Sequence, residues 1–220
     1  MLFFIKRPHF IFTRRIMQTV VPGFLEYERR FLSLAEATRL LEQCAALPIV
    51  KNAADLRPGV PAFVERPPIK VCGKECRQQR HVAFFAAEGV RPYRYSGQDA
   101  TRQDMPDCVS DIMAKVSAEV GVDFNAVLVN YYPNGKSYIS PHQDNERVLD
   151  PNAPVAALSL GAVRKFRIKA YPSKTRVRDL PLAHGSLVVM HDQRSYTHGI
   201  PIESRVEDGR FSLTLRVHRA

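Results

Sequence analysis

His142 and Asp144 stand two residues apart, and His198 follows much later in the chain. Side chains of an extended segment repeat with period two, so an imidazole and a carboxylate at that spacing share one face. Two neutral imidazoles and one carboxylate on one side of a metal leave the opposite positions open, the arrangement that suits non-haem Fe(II). His-x-Asp alone is more often a solvated surface pair than a ligand set. The remaining chain decides between the two.

Arg210 and Arg216 lie six residues apart, so on a strand both point the same way, with Ser212 and Thr214 between them. Buried guanidiniums are costly unless they meet carboxylates, and a planar fork suits bidentate carboxylate recognition. A dicarboxylate would meet that need, and an outward basic strand face is the plain alternative. The four cysteines form no C-x-x-C pair. They read as reduced thiols of an intracellular protein, and Cys72 with Cys76 lacks the second pair that a zinc site would need. His184 reads as a turn before a core strand and His191 as its follower. His81 and His218, among basic residues, face solvent or phosphate.

Lys and Arg number 32 against 22 Asp and Glu, a net charge of +10. This excess suits a polyanionic partner such as nucleic acid, although basic proteins without one are common. No apolar run reaches eighteen residues, which argues against a spanning helix and a membrane partner.

The elements that must position these residues follow from patterning. Residues 1–20 carry no acid and read as a basic, disordered arm. A mitochondrial presequence and a true start at Met17 are the alternatives. Residues 21–220 read as one domain. It opens with a short strand and turn from Val21. Ser33 and Glu36 form a capping-box signature, and the apolar period predicts an amphipathic helix over residues 34–46. Prolines from Pro48 to Pro68 predict loops and edge strands. Val71 to Arg80 reads as a hairpin tip that is either solvated or turned to nucleic acid. Tyr93 and Tyr95 share a face opposite Arg94, as packing residues or as a platform for unstacked bases. A second helix opens near Pro106 and closes at Gly121. Beyond Phe124 come strands at residues 126–129, 156–160, 165–168, 186–190 and 211–217. The expected fold is mainly β with flanking α: a double-stranded β-helix, or jelly roll, with the helices outside its larger sheet. His142 and Asp144 fall at a strand end, and His198 follows residues 186–190 after a short loop.

Asn130-x-Tyr132, His142-x-Asp144, the distal His198 and Arg210-x-x-x-Thr214-x-Arg216 together resemble the AlkB family of Fe(II)/2-oxoglutarate-dependent dioxygenases, nearest to its eukaryotic nucleic-acid demethylases. The resemblance extends weakly to Cys72-Gly73-Lys74 and Tyr93-Arg94-Tyr95-Ser96-Gly97, covering residues 65–220. It implies that His142, Asp144 and His198 hold Fe(II), and that Asn130 and Tyr132 hydrogen-bond 2-oxoglutarate. Arg216, assisted by Thr214, would hold the distal carboxylate, and Arg210 would meet the end near the metal. With O2, 2-oxoglutarate becomes succinate and carbon dioxide, while an N-methyl carbon is hydroxylated and lost as formaldehyde. The implied partners are DNA or RNA carrying 1-methyladenine or 3-methylcytosine, met by a monomer in the nucleus or cytoplasm. Nucleotide recognition falls to residues 65–100, with Tyr93, Tyr95, Asn145, Cys72, Gly73 and Lys74 as substrate contacts. Asn145 departs from an often acidic position, which opens the base preference. Cys72 is small where duplex-repair relatives carry a bulky wedge, which favours single strands. Alternatives are a protein side-chain hydroxylase or demethylase of the same chemistry, and a catalytically silent basic nucleic-acid-binding module.

Overall fold

The computed structural model describes residues 17–71, 74–76, 78–95 and 98–219. Most of the expected basic arm, with Cys72 and Gly73, lies outside the described residues.

Helix α1 (Leu34–Ala45) forms as its capping box dictates. The Glu36 N–H donates to Ser33 Oγ at 3.3 Å, and the Ser33 N–H donates to the Glu36 carboxylate at 2.9 Å. Helix α2 (Asp107–Val120) starts after Pro106 and stops at Gly121, whose φ of +74° is the left-handed conformation of a glycine stop. The stripes Ala37/Leu40/Cys44 and Val109/Ile112/Val116/Val120 pack with Phe85, Val127, Leu158, Leu187 and Leu213 in one core. The helices therefore cover the outer face of the large sheet.

That sheet runs, in order, Gln18–Val21, Leu25–Glu28, Ser186–Met190, Val155–Gly161, Arg210–Arg216, Ala126–Tyr132, His81–Ala86, Phe63–Glu65 and Ile49–Val50. A smaller sheet of Ile139–His142, Tyr196–Ile200, Arg164–Ala170 and Arg176–Leu182 faces its other side. Between them lies a second core that includes Tyr132, Ala157, Phe166, Ile168, Leu182, Val188, Met190 and Ile200. Two sheets closing on a shared interior are the expected jelly roll. Among the described residues no helix is long and apolar enough to cross a membrane.

Four strands depart from the sequence reading. Gln18–Val21 begins inside the expected arm and pairs with Leu25–Glu28. His81–Ala86 is a near-central strand, and its run of buried residues lacks the alternation that marks a half-exposed strand. Arg176–Leu182 is an edge strand, where exposed arginines and Pro181 are tolerated but conceal it. Tyr196–Ile200, reached after the expected short loop, is a strand that the sequence reading did not assign around His198. The region from residue 65 to 100 does form two small hairpins, Ile69–Val71 with Lys74–Cys76 and Tyr93–Tyr95 with Gln98–Ala100.

Arg164 prepares the small sheet for the site. Its buried guanidinium donates to the carbonyls of Asn134, Gly135, Ser137 and Pro201 and to the Glu203 carboxylate. This clamps the turn that leads into Ile139–His142, with each guanidinium nitrogen donating to a carbonyl or a carboxylate. Cys44 is a free buried thiol, pushed up to about 12 by burial, which fits a reduced and unreactive cysteine.

Candidate metal centre

His142 and His198 are directly paired across the small sheet, and their rings are 4.4 Å apart. A register shift between Ile139 and His142 marks a bulge at Ser140–Pro141. Without it, residues three apart would face opposite ways; with it, both Ile139 and His142 line the same cavity. The strand ends at His142, and Asp144 enters from the following loop rather than from the strand itself. One ligand atom from each of His142, Asp144 and His198 lies within 4.8 Å of the others.

The facing strand explains the bulge. A Cβ built on Gly199 would sit 2.7 Å from the Ile139 carbonyl oxygen and 3.1 Å from Pro141 N. Only a glycine lets the bulged backbone cross at that height. Gly199→Ala should therefore push the His142 strand away from His198. Metal affinity is expected to fall about tenfold or more, read by calorimetric titration with Mn(II); unchanged affinity would show that the strand gives way without moving its ligand.

The ligands are held in binding-ready protonation states. The Ser140 carbonyl lies 2.8 Å from His142 Nδ1, which places the ring hydrogen there and leaves Nε2 facing Asp144 Oδ1 at 3.5 Å. Burial keeps both imidazoles neutral, pushing His142 below its ordinary value and His198 down to about 3. Phe166 stacks on the His198 ring at 5.1 Å. Burial alone would raise the Asp144 carboxyl, but the Arg216 guanidinium bonded to it holds it well below the usual carboxylate range. Asp144 Oδ1 and His198 Nδ1 are buried with no hydrogen-bond partner among the described residues. A bound cation would satisfy the first directly, so the donor set fits a divalent metal of the borderline-hard kind.

Beside the metal centre runs a strip of paired side chains. Leu128, Asn130 and Tyr132 lie opposite Thr214, Ser212 and Arg210, in that order. The expected order of the two arginines is reversed. Arg216 Nη2 donates to Asp144 Oδ2 at 2.8 Å, so Arg216 occupies the metal end. Arg210 lies at the far end, where Nη2 donates to Ser159 Oγ at 2.9 Å and Tyr132 faces the guanidinium at 5.4 Å. Its Nε and Nη1 are buried without a partner among the described residues, and burial pushes the group down to about 10. Unpaired donors on a buried cation are expensive. A carboxylate lying along the strip would complete them.

The substrate positions fare unevenly. Tyr93 is 0% exposed, which corrects its reading as an accessible platform. Its ring packs against Phe84 and His218 at 5.7 and 5.3 Å and lies 5.2 Å from the Arg216 guanidinium. Tyr93 thereby fastens its hairpin to the metal end of the site. His218, expected at the surface, is buried in the same cluster and pushed down to about 4 by burial. Asn145 is exposed and donates to Gln143 Oε1 at 3.3 Å. Lys74 and Tyr95 belong to the two hairpins, and their side chains, like Cys72 and Gly73, lie outside the described residues. The sequence reading missed Arg80, a buried guanidinium lining the cavity. Its period-two spacing from Val82 and Phe84 was the available signal.

Comparison with known proteins agrees with this geometry. A family model for the 2OG-Fe(II) oxygenase superfamily matches residues 24–216. The DNA oxidative demethylase ALKBH2 of Arabidopsis thaliana is 30% identical over 179 residues, covering 69% of this chain and 57% of that protein. The human DNA oxidative demethylase ALKBH2 is 34% identical over 157 residues, covering 67% and 60% respectively. The human alpha-ketoglutarate-dependent dioxygenase alkB homolog 3 is 29% identical over 153 residues, covering 64% and 52%. The chain thus spans less than two thirds of the length of these relatives. A solved structure, "The structure of OsALKBH1", aligns with a TM-score of 0.62 at 18% identity, covering 92% of this chain and 100% of that one, a likeness of fold.

Proposed function

The chain belongs to the 2OG-Fe(II) oxygenase superfamily, and from that premise we propose that it oxidatively removes N-linked methyl groups from bases of DNA or RNA. Fe(II) held by His142, Asp144 and His198 would supply, with O2 and 2-oxoglutarate, an oxidant able to hydroxylate a methyl C–H bond. The hydroxymethyl group left on the base nitrogen would then lose its hydroxyl proton and break its C–N bond, releasing formaldehyde and returning the bonding electron pair to the nitrogen.

In this reading each side chain has a definite task. Arg210, with Ser159 and Ser212 beside it, takes the far carboxylate of 2-oxoglutarate. Asn130, Tyr132 and Thr214 line its path, and Arg216 holds Asp144 in place for the metal. The observation that carries the reading is the ligand triad, with Asp144 and His198 buried, next to an incompletely paired buried guanidinium. Nucleic acid as the partner is supported by the DNA demethylases among the relatives and by the net charge of +10. A methyl group on the pairing edge cannot be reached inside a duplex, so the base must leave the stack. The hairpins at Ile69–Cys76 and Tyr93–Ala100 are the natural receivers, with Tyr95, Lys74, Cys72, Gly73 and Asn145 as contacts. The small Cys72 favours a single-stranded substrate, and one copy of the chain suffices for the site.

The test is incubation with Fe(II), 2-oxoglutarate, ascorbate and oligonucleotides carrying 1-methyladenine or 3-methylcytosine, followed by mass analysis of the nucleosides. Methyl loss with matching succinate is expected, faster on single strands than on duplexes. Turnover that only a protein substrate stimulates would refute the nucleic-acid reading, and a clear duplex preference would refute the strand preference alone.

A further inference from the structure

We infer that Arg80 is a positioning residue for 2-oxoglutarate: it sets which end of the Asn130 amide faces the co-substrate. The inference rests on the co-substrate pocket proposed above. Arg80 Nε donates to Asn130 Oδ1 at 3.2 Å, and both residues are buried, at 6% exposure each.

The two ends of an amide differ by one oxygen and one nitrogen, and either end can face a pocket. A guanidinium removes that freedom, because it donates through every nitrogen and accepts through none. The atom facing Arg80 must therefore be Oδ1. Nδ2, the amide's remaining polar atom, carries two donors and is left for the cavity that Asn130 lines. A carboxylate accepts only, so this orientation attracts it, whereas the flipped amide would set oxygen against oxygen. Burial of both partners keeps water from substituting for either.

The backbone holds the arrangement from both sides. Asn130 lies within the large sheet, paired with Ser212 on one side and Val82 on the other. Arg80 precedes Val82 by two residues and so projects on the same face. Its own segment is fastened as well, because Ser137 Oγ donates to the Gln79 carbonyl at 3.2 Å and the Ser137 carbonyl accepts from Arg164. Arg80 lines the same cavity as Asn130 and His142.

The experiment is a double-mutant cycle on the full chain, reading 2-oxoglutarate binding to the Mn(II)-loaded protein by calorimetry, without turnover. Arg80→Met keeps length and removes the donors. It should weaken binding about tenfold, the scale of a hydrogen bond to a charged group. In an Asn130→Ala background the same substitution should change binding less than about twofold, since Arg80 acts through Asn130. Asn130→Asp keeps an acceptor for Arg80 but loses the Nδ2 donors, so it should fold normally and bind as poorly as Asn130→Ala. Undiminished coupling-free weakening in the Asn130→Ala background would mean that Arg80 touches the ligand itself, which overturns the inference. Wild-type affinity in Arg80→Met or in Asn130→Asp also overturns it. Wild-type protein that binds no 2-oxoglutarate would take the proposed function down with it, an outcome distinct from the others.

Discussion

Asp144→Ala is expected to abolish metal-dependent turnover and also to destabilise the metal-free protein by about 3–5 kcal/mol. The first effect follows from losing the single anionic ligand of the triad. The second follows from Arg216. Its side chain is 6% exposed and its Nη2 rests on Asp144 Oδ2 at 2.8 Å, while Asp144 itself is fully buried. Removing the carboxylate strands a buried guanidinium that can neither reach water nor lose its proton. Asp144→Asn separates the two effects, because an amide oxygen still accepts from Arg216 while the metal loses its anion. Urea unfolding of chelator-treated protein should rank wild type above Asp144→Asn, and Asp144→Asn above Asp144→Ala. Equal midpoints for wild type and Asp144→Ala would mean that Arg216 finds another partner, and the ion pair would then be incidental to the fold.

Legibility of the site in the sequence follows the range of the interaction concerned. Local rules sufficed for the helices: Ser33 with Glu36 begins α1, and Gly121 ends α2. Period two sufficed to place Arg210 and Arg216 on one face, and the composite motif brought His142, Asp144 and His198 together. What failed depended on contacts between distant segments. Which arginine meets the metal is decided by how the loop after His142 crosses the last strand, and spacing carries no record of that crossing. Tyr93 reads as a surface aromatic until Phe84, His218 and Arg216 close over it. The bulge at Ser140–Pro141 is matched to Gly199, a residue 58 positions from Pro141 by number. Arg80 looked like one cation among several because its partner, Asn130, lies 50 residues away.

Arg210→Met should move stability and binding in opposite directions. The native guanidinium is buried at 2% exposure, with Nη2 on Ser159 and Nε and Nη1 unpartnered among the described residues. Its charge meets no carboxylate in the ion pairs of the described residues, and burial pushes its pKa down to about 10, which is the electrostatic sign of that strain. Methionine has similar length, no donors to satisfy and a polarisable sulfur for the Tyr132 ring, so the protein without co-substrate should gain about 1–3 kcal/mol. The same change removes the incompletely paired Arg210 cation from the far end of the strip, and 2-oxoglutarate affinity should fall about a hundredfold or more. Thermal unfolding with and without 2-oxoglutarate measures both quantities at once. Wild type should be stabilised by the ligand, and the variant should start higher and not respond. A variant that starts lower would mean that Arg210 is already well paired, and one that still responds would move the carboxylate site elsewhere. The opposite signs matter because a residue kept only for the fold would not be bought at a cost to stability.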